Sequence, residues 1–455
     1  MKTLIRGGTV VTEEGAFSLD LLLEGEKILR MGRHLSTLGA EVVDAKGLLV
    51  LPGMIDAHTH MDLPVCGTVT ADDFETGTKA AILGGTTCIV DFATQEKGET
   101  LAQGLENWHH KADGKSSCDY GFHMAISEWR PDVQMELPEM FREGVTSFKL
   151  YLTYSNQVTD RELYDILTAL KPLGGLVGVH CENSGIIDAR AAQLKAQGVT
   201  GPEGHPLSRP DDAEAEAIHR LLVIAGLVGI PVVIVHLSTR KGLEEIRQAR
   251  ARGQKVYVES CPQYLLLDHS RYLEPDFAGA KYICSPPLRQ KGDQEALWEA
   301  LAREEIDTVS TDHCSFTLAQ KDAGRGDFSK IPGGMPGVEE RLALLYTYGV
   351  AQGRISLPQL VTHLATNPAR LYGLHPRKGV LRTGSDADIV LWDPKASWTM
   401  SARTQHNAAG YTPYEGWQMQ GRVKAVYLRG QKVVEDGELL LPYAGQYIKR
   451  GKGTL

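Results

Sequence analysis

The stretch Met54–His60, reading MIDAHTH, opens with apolar residues as a buried strand does and closes with two histidines two positions apart. Alternate residues of a strand project to the same side. His58 and His60 can therefore face one point together while Thr59 points away. Two neutral imidazoles converging at a strand end suit a divalent transition metal. A hydrogen-bonded pair of core histidines has the same local signature. The choice between the two turns on whether the rest of the chain brings further ligands to the same place.

Working outward, seven more strand-like runs follow: TTCIVDFA ending near Ala93, CDYGFHMAIS near Ser127, VTSFKLYL at Leu152, GLVGVHCE at Glu182, VVIVHLS at Ser238, KVYVESC at Cys261 and DTVSTDHC at Cys314. Amphipathic stretches such as RELYDILTALKPLG, EAEAIHRLLVIAGLVG and GLEEIRQARARG lie between them. Strand–helix alternation repeated eight times predicts an α/β fold, a (β/α)8 barrel of the TIM type, over residues 52–373. A doubly wound sheet would call for a Gly-rich phosphate-binding turn after the first strand, and none is present. Residues 1–51 and 374–440 both read as short strands with Gly-centred turns, and neither set looks complete alone. They are expected to pair into one small β-sandwich. Residues 441–455, basic and polar, are expected to extend over the surface or a neighbouring subunit.

A net charge of −9 gives no reason to expect nucleic acid or an anionic membrane as partner. No apolar run is long enough to span a bilayer, and MKTLIRGGTVV lacks the features of a secretory signal. The seven cysteines form no CxxC pair, and most sit in apolar runs as buried thiols would. A reducing cytoplasm fits this usage.

Functional side chains of such barrels sit at the C-terminal ends of the strands. Here those ends carry His58, His60, Lys149, His180, His236 and Asp312, each interrupting an apolar run. Any one of them has a structural explanation, as a satisfied histidine or a capping carboxylate. Together on one rim they would be costly without a function. Lys149, inside TSFKLYL, is the informative oddity, since a buried ammonium is unfavourable. It would either pair with a carboxylate or be neutral and react with carbon dioxide to a carbamate, whose two oxygens can bridge two cations. Donor counting then gives one ion on His58, His60 and Asp312 and another on His180 and His236, with the carbamate of Lys149 shared. Such ions stand roughly 3.5–4 Å apart and activate a water between them. Zinc suits these nitrogen and oxygen ligands, with manganese or cobalt as alternatives.

These residues resemble the amidohydrolase superfamily and, within it, the dihydropyrimidinases and hydantoinases, D-hydantoinases among them. DAHTH, GGTT (Gly84 to Thr87), SFKLYLTY, VHCEN, VVIVHLS, CPQYLLLD, SPPLR, STDHCSF and GSDADIVLWDP carry the likeness over nearly the whole chain. The resemblance implies a carbamylated Lys149, Asp312 as proton shuttle, and Tyr154 as a donor to substrate and oxyanion. It also implies Ser285 as a main-chain contact to the ring amide, and a homotetramer. The implied reaction opens the ring of 5-substituted hydantoins or 5,6-dihydropyrimidines to N-carbamoyl amino acids. In one place the chain departs from the pattern: Pro332-Gly333-Gly334 stands where the family commonly has Pro-Asn-Gly. The family's asparagine meets substrate largely through its main chain, so Gly333 is expected beside the substrate on a looser loop.

The loops 61–67 and 151–158 are expected to shape the pocket for the ring substituent through Leu63, Val65, Leu152 and Val158. Histidines 109, 110, 123, 205, 219, 269, 363 and 406 read as ordinary, and His313 is expected on the face opposite Asp312. An allantoinase or dihydroorotase would share the metal set. Dihydroorotate carries a carboxylate and calls for an arginine, for which Arg289 is the rim candidate. A single-metal deaminase would not need Lys149. A non-catalytic scaffold of this fold would lack the ligands.

Overall fold

The computed structural model describes residues 2–455. Eight parallel strands form one sheet in sequential order. They are β1 (Met54–Thr59), β2 (Thr86–Thr94), β3 (Asp119–Ala125), β4 (Ser147–Tyr151), β5 (Leu176–His180), β6 (Val232–Ile234), β7 (Val256–Ser260) and β8 (Thr308–Val309). The sheet curls back on itself, and the Thr59–His313 bridge, with His60 N–H donating to His313 C=O at 2.8 Å, joins last strand to first. The three amphipathic stretches form the helices Asp160–Leu170, Asp211–Val228 and Arg240–Ala251 on the outside. Their buried residues recur at helical spacing: Leu163, Ile166, Leu167 and Leu170 in the first.

Two strands are shorter than their apolar runs suggest. β6 stops at Ile234 and β8 at Val309, before the residues of interest. His236 and Asp312 instead have left-handed backbones, with φ of 41° and 53°. Non-glycine residues rarely take that conformation, and it ends strand pairing where the rim must turn inward.

The two ends of the chain do share a sheet. Its seven strands run Glu438–Leu439, Gln431–Glu435, Gln418–Leu428, Ile389–Thr399, Leu49–Pro52, Thr9–Thr12 and Gly15–Ser18 in spatial order. Pro52 pairs with Ile389 and Leu49 with Trp392. A second, four-stranded sheet from residues 2–44 packs over it, enclosing Ile5, Val10, Leu21, Leu23, Val50, Ile389, Leu391 and Tyr427. Gly53 lies between Leu49–Pro52 and β1, where a Cβ would fall 2.0 Å from Thr87 Oγ1. Only glycine lets the chain pass from sandwich to barrel so tightly.

Residues 441–455 run over the surface, most of them exposed, with only Ile448 and Arg450 buried. They cross the barrel floor, the end opposite the histidines. Ile448 packs with Ile55, Val90 and Val233, and the Arg450 guanidinium, 4% exposed, donates to Ser147 Oγ, Phe122 C=O and Tyr372 C=O. The apolar floor of the barrel explains why those two residues are buried. Covering it with a basic tail whose carbonyl-seeking guanidinium satisfies strand ends is more favourable than leaving that tail in water.

Candidate metal centre

Carboxylates hidden in the strands set the directions of the first two histidines. Asp91 on β2 accepts from Thr59 Oγ1 at 2.7 Å, Met61 N–H at 2.9 Å and Trp108 Nε1 at 2.9 Å. It anchors Thr59 outward, so His58 and His60 turn inward, as strand alternation requires. Asp56 accepts from the backbone and hydroxyl of Thr311 at 3.1 and 2.7 Å, fixing the Asp312 segment against β1.

The result is a compact set. Asp312 Oδ1 lies 3.2 Å from His58 Nε2 and 3.1 Å from His60 Nε2, and one donor atom from each of the three residues falls within 4.8 Å of the others. Across the mouth, the rings of His180 and His236 are 4.5 Å apart, and His236 is 5.4 Å from His58. Lys149, 1% exposed, stands on β4 between the two groups, its Nζ 5.0 Å from the Phe92 ring and 5.2 Å from the Tyr151 ring. Among the described residues it has no ion-pair partner. Burial pushes its ammonium down to about 8, so a nucleophilic, neutral amine is accessible near neutrality.

The donor set fits divalent cations. His58 Nε2 and His236 Nδ1 are buried without a hydrogen-bond partner among the described residues, an arrangement rare in proteins unless something binds there. Burial holds His60, His180 and His236 below the usual imidazole range, His236 well below it with the neighbouring His180 adding to the effect. Metal ligation needs the neutral ring. Burial also works against a charged Asp312, but His58 and His60 outweigh it and hold the carboxyl well below its usual range.

Partners around these residues, which sequence reasoning missed, complete the site. Glu259 Oε1 sits 2.6 Å from His58 Nδ1, both fully buried. Glu182 accepts from His180 Nε2 at 2.8 Å and from Arg209 Nη1 at 2.5 Å, and the Arg209 guanidinium lies 5.5 Å over the Tyr154 ring. Outer partners of this kind fix the tautomer and direction of a ligating imidazole. The signal for Glu259 was available: a carboxylate ending an apolar run, as in the Asp312 segment. Arg209 had none, because it lies in a polar loop between two helices.

Other expected residues are placed as follows. Tyr154 leans over His180, ring centroids 5.2 Å apart, with φ of 71°. Ser285 and Gly333 face each other, such that a Cβ on Gly333 would lie 3.3 Å from Ser285 Oγ. Leu152 and Val158 are buried at a cleft of about 310 Å³ shared with Gln157, Asn183 and Arg220. Leu63 and Val65 are half-buried on the opposing loop. His313 does turn away from the site, bonding Asp72 at 3.1 Å. His123 is less ordinary than its position suggests: it stacks 4.6 Å from Phe92, which in turn stacks on His60.

The amidohydrolase family model matches residues 49–433, most of the chain. The chain belongs to the amidohydrolase family. This amidohydrolase is 47% identical to D-hydantoinase of Geobacillus stearothermophilus, over 99% of the chain and 97% of that protein. It is 44% identical to D-hydantoinase of Streptomyces coelicolor, over 96% of the chain and 95% of the relative. Among solved structures, dihydropyrimidinase from Brevibacillus agri NCHU1002 superposes with a TM-score of 0.98 at 45% identity, covering 100% of the chain and 99% of its own. No helix of the described residues is long and apolar enough to cross a membrane.

Proposed function

We propose that this amidohydrolase opens the ring amide of 5-substituted hydantoins, and of 5,6-dihydropyrimidines, to N-carbamoyl amino acids, with preference for the D enantiomer of the hydantoin. The observation that carries the reading is the convergence of four imidazoles, Asp312 and the unpaired, buried Lys149 on one rim. The names of its relatives support the substrate class and the handedness.

In this reading His58, His60 and Asp312 would hold one divalent ion and His180 and His236 a second, with Lys149 shared as the carbamate formed when its amine adds to carbon dioxide and loses a proton. Bound there, a zinc pair (or manganese or cobalt) would supply Lewis acidity and a water acidified towards neutrality. Asp312 takes the proton of the attacking water and returns it to the departing ring nitrogen, base and then acid in one cycle. The Tyr154 hydroxyl donates to the oxyanion that develops on the attacked carbonyl. Ser285 and Gly333 would meet the ring amide through their main chains, and Leu63, Val65 and Leu152 would flank the ring substituent. A homotetramer, on the strength of the resemblance, and a cytoplasmic place, on the cysteine usage, complete the reading.

A dihydroorotase reading is disfavoured by Arg289. Its guanidinium is 8% exposed and committed to Ser238 Oγ at 3.0 Å, the Arg209 carbonyl at 2.5 Å and Glu214 at 3.5 Å, which leaves it unavailable to a substrate carboxylate. The deciding experiment is ring opening by metal-reconstituted protein with bicarbonate present, comparing dihydrouracil with each enantiomer of 5-phenylhydantoin. Faster opening of the D-hydantoin than of its mirror image supports the proposal. Inactivity towards all three with both ions bound overturns it.

A further inference from the structure

Lys321 is another buried lysine, 1% exposed, in the short helix Leu318–Asp322 and outside the set of candidate ligands. It has no carboxylate partner among the described residues. Its ammonium instead donates to three main-chain carbonyls: Ile283 at 2.8 Å, Pro332 at 2.6 Å and Gly334 at 2.7 Å. Three donors meet three acceptors, so the group is fully satisfied. Those acceptors belong to two different segments, 283–286 and 332–335: Ile283 precedes Ser285, and Pro332 and Gly334 flank Gly333.

The remaining carbonyls nearby are held as well. His205 Nε2 lies 2.8 Å from the Cys284 carbonyl, and the Tyr264 hydroxyl donates to Pro286 C=O at 2.8 Å. Gly334 N–H donates to Ile283 C=O at 2.9 Å, and Met335 C=O accepts from Cys314 N–H at 3.2 Å. At Gly334 a Cβ would fall 2.2 Å from the Cys314 carbonyl, so this side of the clip is pressed against the strand end that carries Asp312. Between these bonded carbonyls, the N–H and C=O of both Ser285 and Gly333 have no partner within the described chain. Both residues are half-buried, so these groups face the open side of the frame, where water or a ligand can meet them.

We propose that Lys321 is a positioning residue that clamps the 283–286 and 332–335 segments together, setting Ser285 and Gly333 as two edges of a main-chain clip for a planar ring amide. The inference rests on the cyclic-amide reading above. It also accounts for glycine at position 333. The conformation there is imposed by the bonds of Pro332 and Gly334 to one ammonium, so the loop expected to be loosened by Gly333 is tied on both sides.

The test uses the metal-loaded full chain. Lys321→Gln keeps two donors and Lys321→Met keeps none, so the effect should be graded between them. With the ring-amide substrate, KM should rise about tenfold in Lys321→Gln and further in Lys321→Met, with kcat within about threefold and the metal content unchanged, because the clip holds the ring equally in the bound and the transition state. Amide hydrogen exchange should quicken in peptides covering 283–286 and 332–335 and stay as in the wild type elsewhere. An unchanged KM in a folded, metal-loaded Lys321→Gln overturns the proposal. So does exchange that quickens throughout the barrel, the mark of a merely structural lysine. If Lys321→Met does not fold, Lys321→Gln decides by the same two readings. A wild-type protein that opens no ring amide would defeat the activity reading by itself, and the clamp would then stand or fall on whether exchange is confined to the two segments.

Discussion

Glu259 Oε1 and His58 Nδ1 stand 2.6 Å apart with both side chains fully buried, and that contact decides which nitrogen of His58 faces the rim. A carboxylate at Nδ1 keeps the proton there and leaves Nε2 as the free lone pair, and Nε2 is the buried atom without a partner. Glu259→Gln should weaken binding of the ion assigned to His58, His60 and Asp312 by about tenfold or more. Competition with a chelator measures it, and activity should return in excess metal. Unaltered affinity would remove Glu259 from the account.

Lys149→Ala should leave the chain folded but unable to hold two ions. The expected outcome is loss of at least one ion per chain and a fall in kcat of several orders of magnitude, read by elemental analysis and steady-state kinetics. Intact-mass measurement under native conditions should show one added carbon dioxide on the wild type only. A Lys149→Ala protein with full activity would sink the carbamate.

Tyr154→Phe removes a donor and little else. If the hydroxyl meets the developing oxyanion, kcat should fall by about 10²–10³ while KM changes far less. A fall confined to KM would place Tyr154 in ground-state binding only.

Glu340 offers a pH signature of stability away from the site. It is 1% exposed, both its oxygens lack partners among the described residues, and burial, with Glu339 beside it, raises its carboxyl to about 7. The folded state thus holds this proton more tightly than the unfolded chain. Below the unfolded value both states are protonated and nothing is lost; as pH rises from about 4.5 to about 7, stability falls by about 3 kcal/mol and then levels. Glu340→Gln should lack this loss, so its stability advantage should grow over that window and be absent at lower pH. Denaturant unfolding of both proteins at several pH values measures it.

Arg450→Ala should cost about 2–4 kcal/mol, since it strands the Phe122 and Tyr372 carbonyls on the barrel floor. Metal content at low temperature should not change. Denaturant midpoints of the two proteins test this.

Much of this site could be read from the sequence, because its ligands break apolar runs at strand ends, where a polar residue has to be explained. His58, His60, Lys149, His180, His236 and Asp312 all do so, and the structure gathers them at one mouth. Glu259 carries the same signature and was passed over, since a carboxylate offers itself equally as ligand, cap or partner. Arg209 and Lys321 could not be found that way: their importance lies in which carboxylate or carbonyl the fold brings to them across long separations. Within residues 441–455, the burial of Ile448 and Arg450 is illegible in the sequence for a related reason. A basic, polar tail reads as solvated unless one knows that strand-end carbonyls wait for its arginine.

The pairing of Leu49–Pro52 with Ile389–Thr399 has a consequence in time as well as in space. β1, which carries His58 and leads into His60, begins directly after Leu49–Pro52 and is anchored through it to residues made hundreds of positions later. Contacts of such separation form late, since the chain between them must first be confined. A nascent chain halted before Ile389 would carry the MIDAHTH stretch without the sheet that steadies it. The imidazole pair would then gain its anchor only once the C-terminal strands are made, so that the C-terminal end of the chain completes the setting of the first two ligands.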